Sequence, residues 1–128
     1  MDKETPREER RKYPRVFLDL PIEYRVMDAP YAHGGLVVNA SEMGLLINSV
    51  KDILIGSRLN IAVLFPKGFQ LSNFEVLAEI IWKDRHWEQD WEGYRYGLKF
   101  IEIFDEDRRK LKLLLSDPFP SGMLLPHS

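Results

Sequence analysis

The sequence contains no cysteine, which excludes disulfide frameworks, thiolate nucleophiles and cysteine-ligated zinc. It also lacks an uninterrupted apolar run of the roughly 18 residues that a membrane helix needs. The N-terminal stretch MDKETPREERRKY is charged where a signal peptide requires an apolar core. We therefore expect a cytoplasmic protein that does not insert into a membrane.

Histidine is scarce, and its distribution argues against a catalytic site. The three histidines are His33, His86 and His127, and their spacing is typical of neither a metal site nor a nucleophile with its base. The carboxylates are numerous but fall mostly at polar strand positions or at the start of a helix, where a solvated surface explains them. We expect no enzyme activity, no metal and no cofactor.

The length and composition indicate one globular domain with short tails. The chain has 128 residues, of which 45% are hydrophobic and 30% charged, so it can bury a core without metal or disulfide. We expect a flexible N-terminal tail over residues 1–9, a domain over residues 10–116 and a C-terminal tail over residues 117–128.

The formal charge of −2 argues against a protein that coats nucleic acid with its whole surface. The cationic residues are nevertheless concentrated at one place. Residues 1–9 carry a net charge of −2, whereas residues 10–15 carry +4. A local binding segment, a nucleic-acid arm and a solvated tail all fit this distribution.

Period-two patterns predict six strands. Apolar residues alternate from Val16 to Val26, where Pro21 indicates an edge or a bulge. The stretch DAPYAHGG is predicted as a turn and DRHWEQDWEG as a loop. Within that loop we interpret Trp87 and Trp91 as capping the barrel end or packing on each other, with partner binding as the alternative. Two further strands are predicted in LVVNASEMGLLINSV, and one in each of residues 58–65, 74–83 and 94–103.

The period then changes to that of a helix. In DEDRRKLKLLLSD, Asp105 is a candidate N-cap, and Leu111, Leu114 and Leu115 lie at helical spacing. The predicted fold class is mainly β: a small antiparallel barrel or sandwich with one helix that packs on it or closes one mouth.

Two polar stretches carry the candidate site. RKYPR places Arg11 and Arg15 four residues apart on a segment that Pro14 keeps out of a helix. Guanidinium groups suit bidentate bonds with phosphate oxygens or a guanine edge, and they stack on bases.

The second stretch is NASEMG, between two predicted strands. Asn39 and Ser41 are two residues apart, so we expect them to present an amide and a hydroxyl on the same side. Gly44 is expected to supply a positive φ in a turn. An ordinary hairpin also explains these residues.

In combination, the two stretches resemble the signature of the PilZ domain family, bacterial receptor modules for cyclic di-GMP. That signature pairs an arginine-x-x-x-arginine segment before the first strand with Asp/Asn-x-Ser-x-x-Gly about two strands later. AEIIWKD and YRYGLKFIEI are also similar to later strands of the family, and the resemblance covers roughly residues 10–116.

The resemblance implies a six-stranded antiparallel barrel with a C-terminal helix that binds cyclic di-GMP. Arg11 and Arg15 would contact guanine and phosphate, Asn39 and Ser41 would bond the ligand from the barrel wall, and Gly44 would shape the turn. Arg10, directly before the motif, is an additional candidate, because this place helps to decide whether one cyclic di-GMP or an intercalated pair binds.

A stand-alone receptor of this kind would relay the signal by conformational change to a protein effector, as a monomer or a weak homodimer that binds no nucleic acid. Two alternatives are an OB-like barrel that binds single-stranded nucleic acid through RRKYPR, and a PilZ-like adaptor that binds no nucleotide.

Overall fold

The strands of the protein follow the period-two pattern of its sequence. The computed structural model describes residues 14–116. In the first strand, every second side chain from Leu18 to Tyr24 is buried and the intervening ones are exposed. The described elements are β1 (Val16–Val26), β2 (Ala32–Ala40), β3 (Gly44–Ser49), β4 (Arg58–Lys67), β5 (Gln70–Glu88), β6 (Trp91–Glu102) and helix α1 (Asp105–Ser116).

The six strands form a closed antiparallel barrel in the order β1-β2-β3-β6-β5-β4, and pairing between β4 and β1 closes it. The predicted barrel with a C-terminal helix is confirmed. Closure matters because it removes the exposed sheet edges that would otherwise invite aggregation. The core lies inside the barrel and includes Tyr24, Phe74 and Tyr96, and no buried side-chain nitrogen or oxygen in residues 14–116 lacks a hydrogen-bond partner.

The strand irregularity predicted near Pro21 lies slightly earlier in β1. The register with β2 shifts between Phe17 and Leu20, and Asp19 has a φ of 55°. Pro21 itself pairs with β2, and pairing with β4 begins only at Ile22. Proline has no amide hydrogen to donate, and Pro21 lies at a position where β1 is not paired with β4.

Two predicted connections are strands instead. The turn predicted for DAPYAHGG is wrong beyond Tyr31, because β2 begins at Ala32 and its glycines pair with β1. A methyl group on Gly35 would lie 2.7 Å from the Asn48 carbonyl oxygen, so this glycine permits a close approach of strands. The loop predicted for DRHWEQDWEG is a hairpin in which β5 and β6 stay paired up to Glu88 and Trp91. Cross-strand pairing overrides the local turn signals in both places.

Helix α1 packs alongside β5 and contributes Leu111 and Leu114 to the core, with Leu115 partly buried against it. Its N-cap differs from the prediction. The carbonyl of Phe104 accepts the amide of Arg108 at 2.8 Å, so Phe104 holds the N-cap position and Asp105 is the first helical residue. No helix in the described part of the chain is long and apolar enough to cross a bilayer.

Candidate functional site

The start of β1 lies beside the end of β2, which brings part of the two signature stretches together. Val16 pairs with Ala40 and Phe17 with Asn39. Arg15, which directly precedes β1, donates a hydrogen bond from Nη1 to Oδ1 of Asn39 at 2.9 Å. Two residues separated by 24 positions in the sequence thus form one polar pair on the barrel surface. Arg10 and Arg11 lie outside the described residues.

Ser41 occupies a different position from the one expected. It lies beyond the end of β2, where the period of two no longer applies, and it is buried. Its Oγ accepts the Met43 amide at 3.1 Å, and its own amide donates to the Gly44 carbonyl at 3.0 Å. The hydroxyl therefore shapes the connection between β2 and β3 and does not stand exposed beside Asn39.

Gly44 is required for a reason other than the expected one. Only Gly56 and Gly68 have a positive φ among the described glycines, so Gly44 does not supply a left-handed turn. A methyl group at Gly44 would instead lie 2.0 Å from the Leu98 carbonyl oxygen. The glycine lets β3 begin directly against β6, where Gly44 pairs with Lys99.

A row of outward-facing residues extends from Asn39 across the barrel wall. Directly paired residues of antiparallel strands share a face. The row runs Phe17, Asn39, Leu46, Gly97, Trp82, because each residue pairs with the next. The neighbouring row of Ala40, Leu45, Leu98 and Ile80 is buried, which places the first row on the outside.

Trp82 forms the far end of this row, and sequence reasoning did not select it. Its side chain is 44% exposed, and a methyl group on Gly97 would meet its Cβ and Cε3 at 3.3 Å. The indole therefore lies against a strand that offers no side chain at that point. Three strand spacings separate Asn39 from Trp82, about 14 Å. The glycine of YRYGLKF, Gly97, is visible in the sequence, but only the strand register shows that it lies opposite Trp82.

A second polar pair lies next to this row on the same face. Arg95 donates from Nε to Oδ1 of Asn48 at 2.9 Å, and its Nη2 lies 3.3 Å from Nε2 of His86. The His86 ring contacts the Trp91 ring, with centroids 5.7 Å apart. The wall therefore offers two guanidinium groups, from Arg15 and Arg95, on either side of Leu46. Planar cations and an apolar floor suit an anionic ligand that carries flat rings.

The shifted titratable groups lie near the β3–β4 connection and in the β5–β6 hairpin. Burial raises the pKa of Tyr96 to about 12, and its hydroxyl accepts the Ile53 amide at 2.8 Å while donating to the Lys51 carbonyl at 2.6 Å. A hydrogen bond from Lys83 lowers the pKa of Asp52. These interactions hold the connection to β5 and β6 and do not reach Asn39. Within residues 14–116, no group of three histidine or carboxylate side chains is arranged to hold a metal ion.

Comparison with known proteins places the whole barrel in one family. The family model described as PilZ domain matches residues 9–117. A search of curated proteins finds no match to the sequence.

Several solved structures share the fold at low sequence identity. The PilZ domain of YcgR from Escherichia coli, determined with c-di-GMP, superposes with a TM-score of 0.66 at 16% identity, over 84% of this chain and 89% of that one. The Bacillus subtilis inhibitor of motility (MotI/DgrA) also gives 0.66 at 19% identity, over 87% of this chain and 54% of that one. MrkH, described as a c-di-GMP-dependent transcription regulatory factor, gives 0.66 at 13% identity, over 85% and 51%. The chain thus spans about half the length of these last two proteins.

Proposed function

The chain belongs to the PilZ domain family, and from this premise we propose that it is a receptor that binds cyclic di-GMP on the outer wall of its barrel. The observation that carries the proposal is the hydrogen bond between Arg15 and Asn39. It joins Arg15 of the first signature stretch to Asn39 of the second. Asn39 belongs to the row of outward-facing residues that ends at the exposed Trp82. The structural relative YcgR, whose PilZ domain was determined with c-di-GMP, supports the choice of ligand.

The chemistry of the ligand matches the groups on the wall. Cyclic di-GMP carries two phosphates and two guanines, so it needs cations, flat surfaces and hydrogen-bonding groups. The guanidinium of Arg15 provides charge and a planar face, and the Asn39 amide provides a donor besides the Oδ1 that accepts from Arg15. Trp82 offers a face on which a base can stack. We include Arg11 as the second guanidinium, Arg10 as an additional one, Ser41 and Gly44 as the residues that shape the wall, and residues 10–116 as the binding domain.

The protein acts in this proposal as a cytoplasmic receptor and not as an enzyme. Binding of the nucleotide changes the conformation around Arg15 and Asn39, and that change is passed to a protein effector.

Titration calorimetry with cyclic di-GMP, GTP and single-stranded DNA tests the proposal. Of these three ligands, we expect only cyclic di-GMP to bind, at a stoichiometric ratio to the protein. Loss of a hydrogen bond to a charged group costs about 1.5–3 kcal/mol, so Arg15→Ala should weaken binding roughly 10- to 100-fold, and Arg11→Ala similarly. Trp82→Ala should weaken it about 10-fold through lost stacking.

Two control variants make the test specific. Arg25→Ala removes an exposed arginine from the other end of β1, and Phe69→Ala removes an exposed aromatic from the β4–β5 turn. Both should bind like the wild type. If cyclic di-GMP produces no heat of binding, the proposal is rejected and the PilZ-like adaptor that binds no nucleotide remains. If only the single-stranded DNA binds, and its binding weakens with salt, the OB-like alternative is favoured.

A further inference from the structure

The hairpin formed by β5 and β6 extends beyond the barrel wall. The last pair between β3 and β6 is Ser49 with Tyr94, and the last pair between β4 and β5 at this end is Arg58 with Glu79. Strands β5 and β6 continue to pair up to Glu88 and Trp91. We call residues 84–93 the hairpin arm. In the described part of the chain, no third strand covers either edge of its tip.

Two cross-strand contacts stabilise the arm. Arg85 donates from Nη2 to Oε2 of Glu92 at 2.9 Å, and the His86 ring packs on the Trp91 ring. These contacts hold the ribbon in shape although a two-stranded sheet is only marginally stable by itself in water. The arm is therefore a formed surface that projects from the barrel.

Trp87 lies on the face of the arm that faces away from the His86–Trp91 contact. It pairs with Glu92, whereas Trp91 pairs with Glu88. Its side chain is 64% exposed, and it helps to line an open concavity of about 610 Å³ whose walls come entirely from the arm. The interpretation that Trp87 and Trp91 pack on each other does not fit this arrangement. Trp87 is a large apolar ring presented to solvent.

The arm is acidic around this ring. Its ten residues carry Asp84, Glu88, Asp90 and Glu92 against the single cation Arg85, which gives a net charge of −3 with neutral histidine. The whole chain carries only −2, so the rest of the chain carries +1. Arg85 pairs with Glu92, and Oε2 of Glu88 lies 3.3 Å from Nε2 of His86 on the opposite face of the arm. Asp90 in the turn is therefore the tip carboxylate that makes no ion pair within residues 14–116, and it lines the same concavity as Trp87.

We propose that the hairpin arm is the docking surface for an arginine-bearing segment of a partner protein. A guanidinium stacks on the indole of Trp87 and pairs bidentately with the carboxylate of Asp90. Arginine fits better than lysine because its planar group satisfies both contacts at once. The proposal does not rest on nucleotide binding, so its failure would leave the calorimetric test of cyclic di-GMP untouched.

Peptide probes test the chemistry of this surface. Twelve-residue peptides that alternate glycine with arginine, lysine or glutamate are titrated into the full chain, and their affinity is measured by titration calorimetry. In proteins that retain Trp87, its indole NH resonance is also followed by NMR. We expect the arginine peptide to bind more tightly than the lysine peptide and to weaken with added salt, and the glutamate peptide not to bind. Trp87→Ala and Asp90→Asn should each weaken arginine-peptide binding at least fivefold.

Matched controls are Phe69→Ala and Glu102→Gln, which remove an exposed aromatic ring and an exposed carboxylate away from the arm. Both should bind the arginine peptide like the wild type. Binding that survives Trp87→Ala, or that responds equally to the control variants, would overturn the proposal.

A photo-crosslinking residue at position 87, introduced in the organism of origin, then identifies the natural occupant. Sequencing of the crosslinked peptide should show a segment of another protein that contains at least one arginine. A crosslink to a second copy of this chain, to nucleic acid or to an acidic or neutral segment would contradict the proposal, as would no crosslink at position 87.

Discussion

Gly44 helps to position the candidate site because it has no side chain. Its backbone lies against the Leu98 carbonyl, and the amide of Phe100 donates to the Met43 carbonyl at 2.9 Å beside it. The close approach holds β3 on β6 and so aligns Leu46 with Gly97. Since Asn39 pairs with Leu46, the place of Asn39 on the wall depends on this glycine as well.

We expect Gly44→Ala to destabilise the fold by about 3 kcal/mol, because the new methyl group would overlap a backbone oxygen that cannot move without breaking strand pairing. Urea unfolding followed by circular dichroism measures the change. Gly34→Ala is the matched control, since its methyl group would meet nothing closer than 4.0 Å, and its stability should stay within about 0.5 kcal/mol of the wild type. Equal stability of the two variants would show that β3 can shift away from β6.

Helix α1 is attached to β5 by both polar and apolar contacts. The Glu75 amide donates to Oδ1 of Asp107 at 2.9 Å, and Lys110 donates from Nζ to the Asn73 carbonyl at 3.0 Å. Leu111 is completely buried in the core. The helix therefore braces the beginning of β5, the strand that later carries Trp82 and one side of the hairpin arm.

Leu111→Ala should cost about 2–5 kcal/mol through lost burial and the cavity that remains. Leu113→Ala, two residues away on the same helix, removes a side chain that is 68% exposed and should change the stability by less than about 0.5 kcal/mol. Unfolding free energies of both variants in urea give the comparison. Similar small losses for both would mean that the helix does not pack on the core.

At the scale of the whole molecule, β5 and β6 link the two surfaces that we propose to be functional. The wall row ends on these strands at Trp82 and Gly97, and the arm is their continuation. The Arg95 contacts with Asn48 and His86 lie between the two surfaces. The Tyr96 hydroxyl holds the β3–β4 connection through Ile53 and Lys51, and Ile53 is buried in the core.

The stability of the protein should fall as the pH rises from about 10 to 12. Burial raises the pKa of Tyr96 to about 12, above its ordinary value of 10.0, so the folded state retains a proton that the unfolded state releases. The stabilisation is complete below pH 10 and is lost as the pH passes through the folded-state pKa. Burial raises the pKa of Tyr24 as well, which acts in the same direction.

Tyr96→Phe tests this assignment. At pH 8 we expect a loss of about 1–3 kcal/mol, because the buried Ile53 amide and Lys51 carbonyl lose their partner. The difference from the wild type should shrink between pH 10 and 12, measured by urea unfolding across that range. A difference that stays constant with pH would contradict the link to the Tyr96 proton.

Local patterns made much of the fold predictable from the sequence. Alternation along β1 sets which residues face the core, and the helical spacing of Leu111 and Leu114 identifies α1. Turn signals misled at two places, Ala32 to Gly35 and the arm, because glycine and charged residues favour turns in isolation. Their pairing with neighbouring strands contributes more than these local preferences, and that pairing is a long-range property.

The sequence by itself determined the family, through two short polar motifs in order, and it determined the alternation that builds a barrel. Only the tertiary structure decided which of these residues meet. The contact of Arg15 with Asn39, the placement of Trp82 over Gly97 and the separation of Trp87 from Trp91 all depend on strand register. Register depends on closure of the whole barrel and on close approaches between strands, such as that of Gly44 to the Leu98 carbonyl. No local stretch of sequence determines these distances between strands.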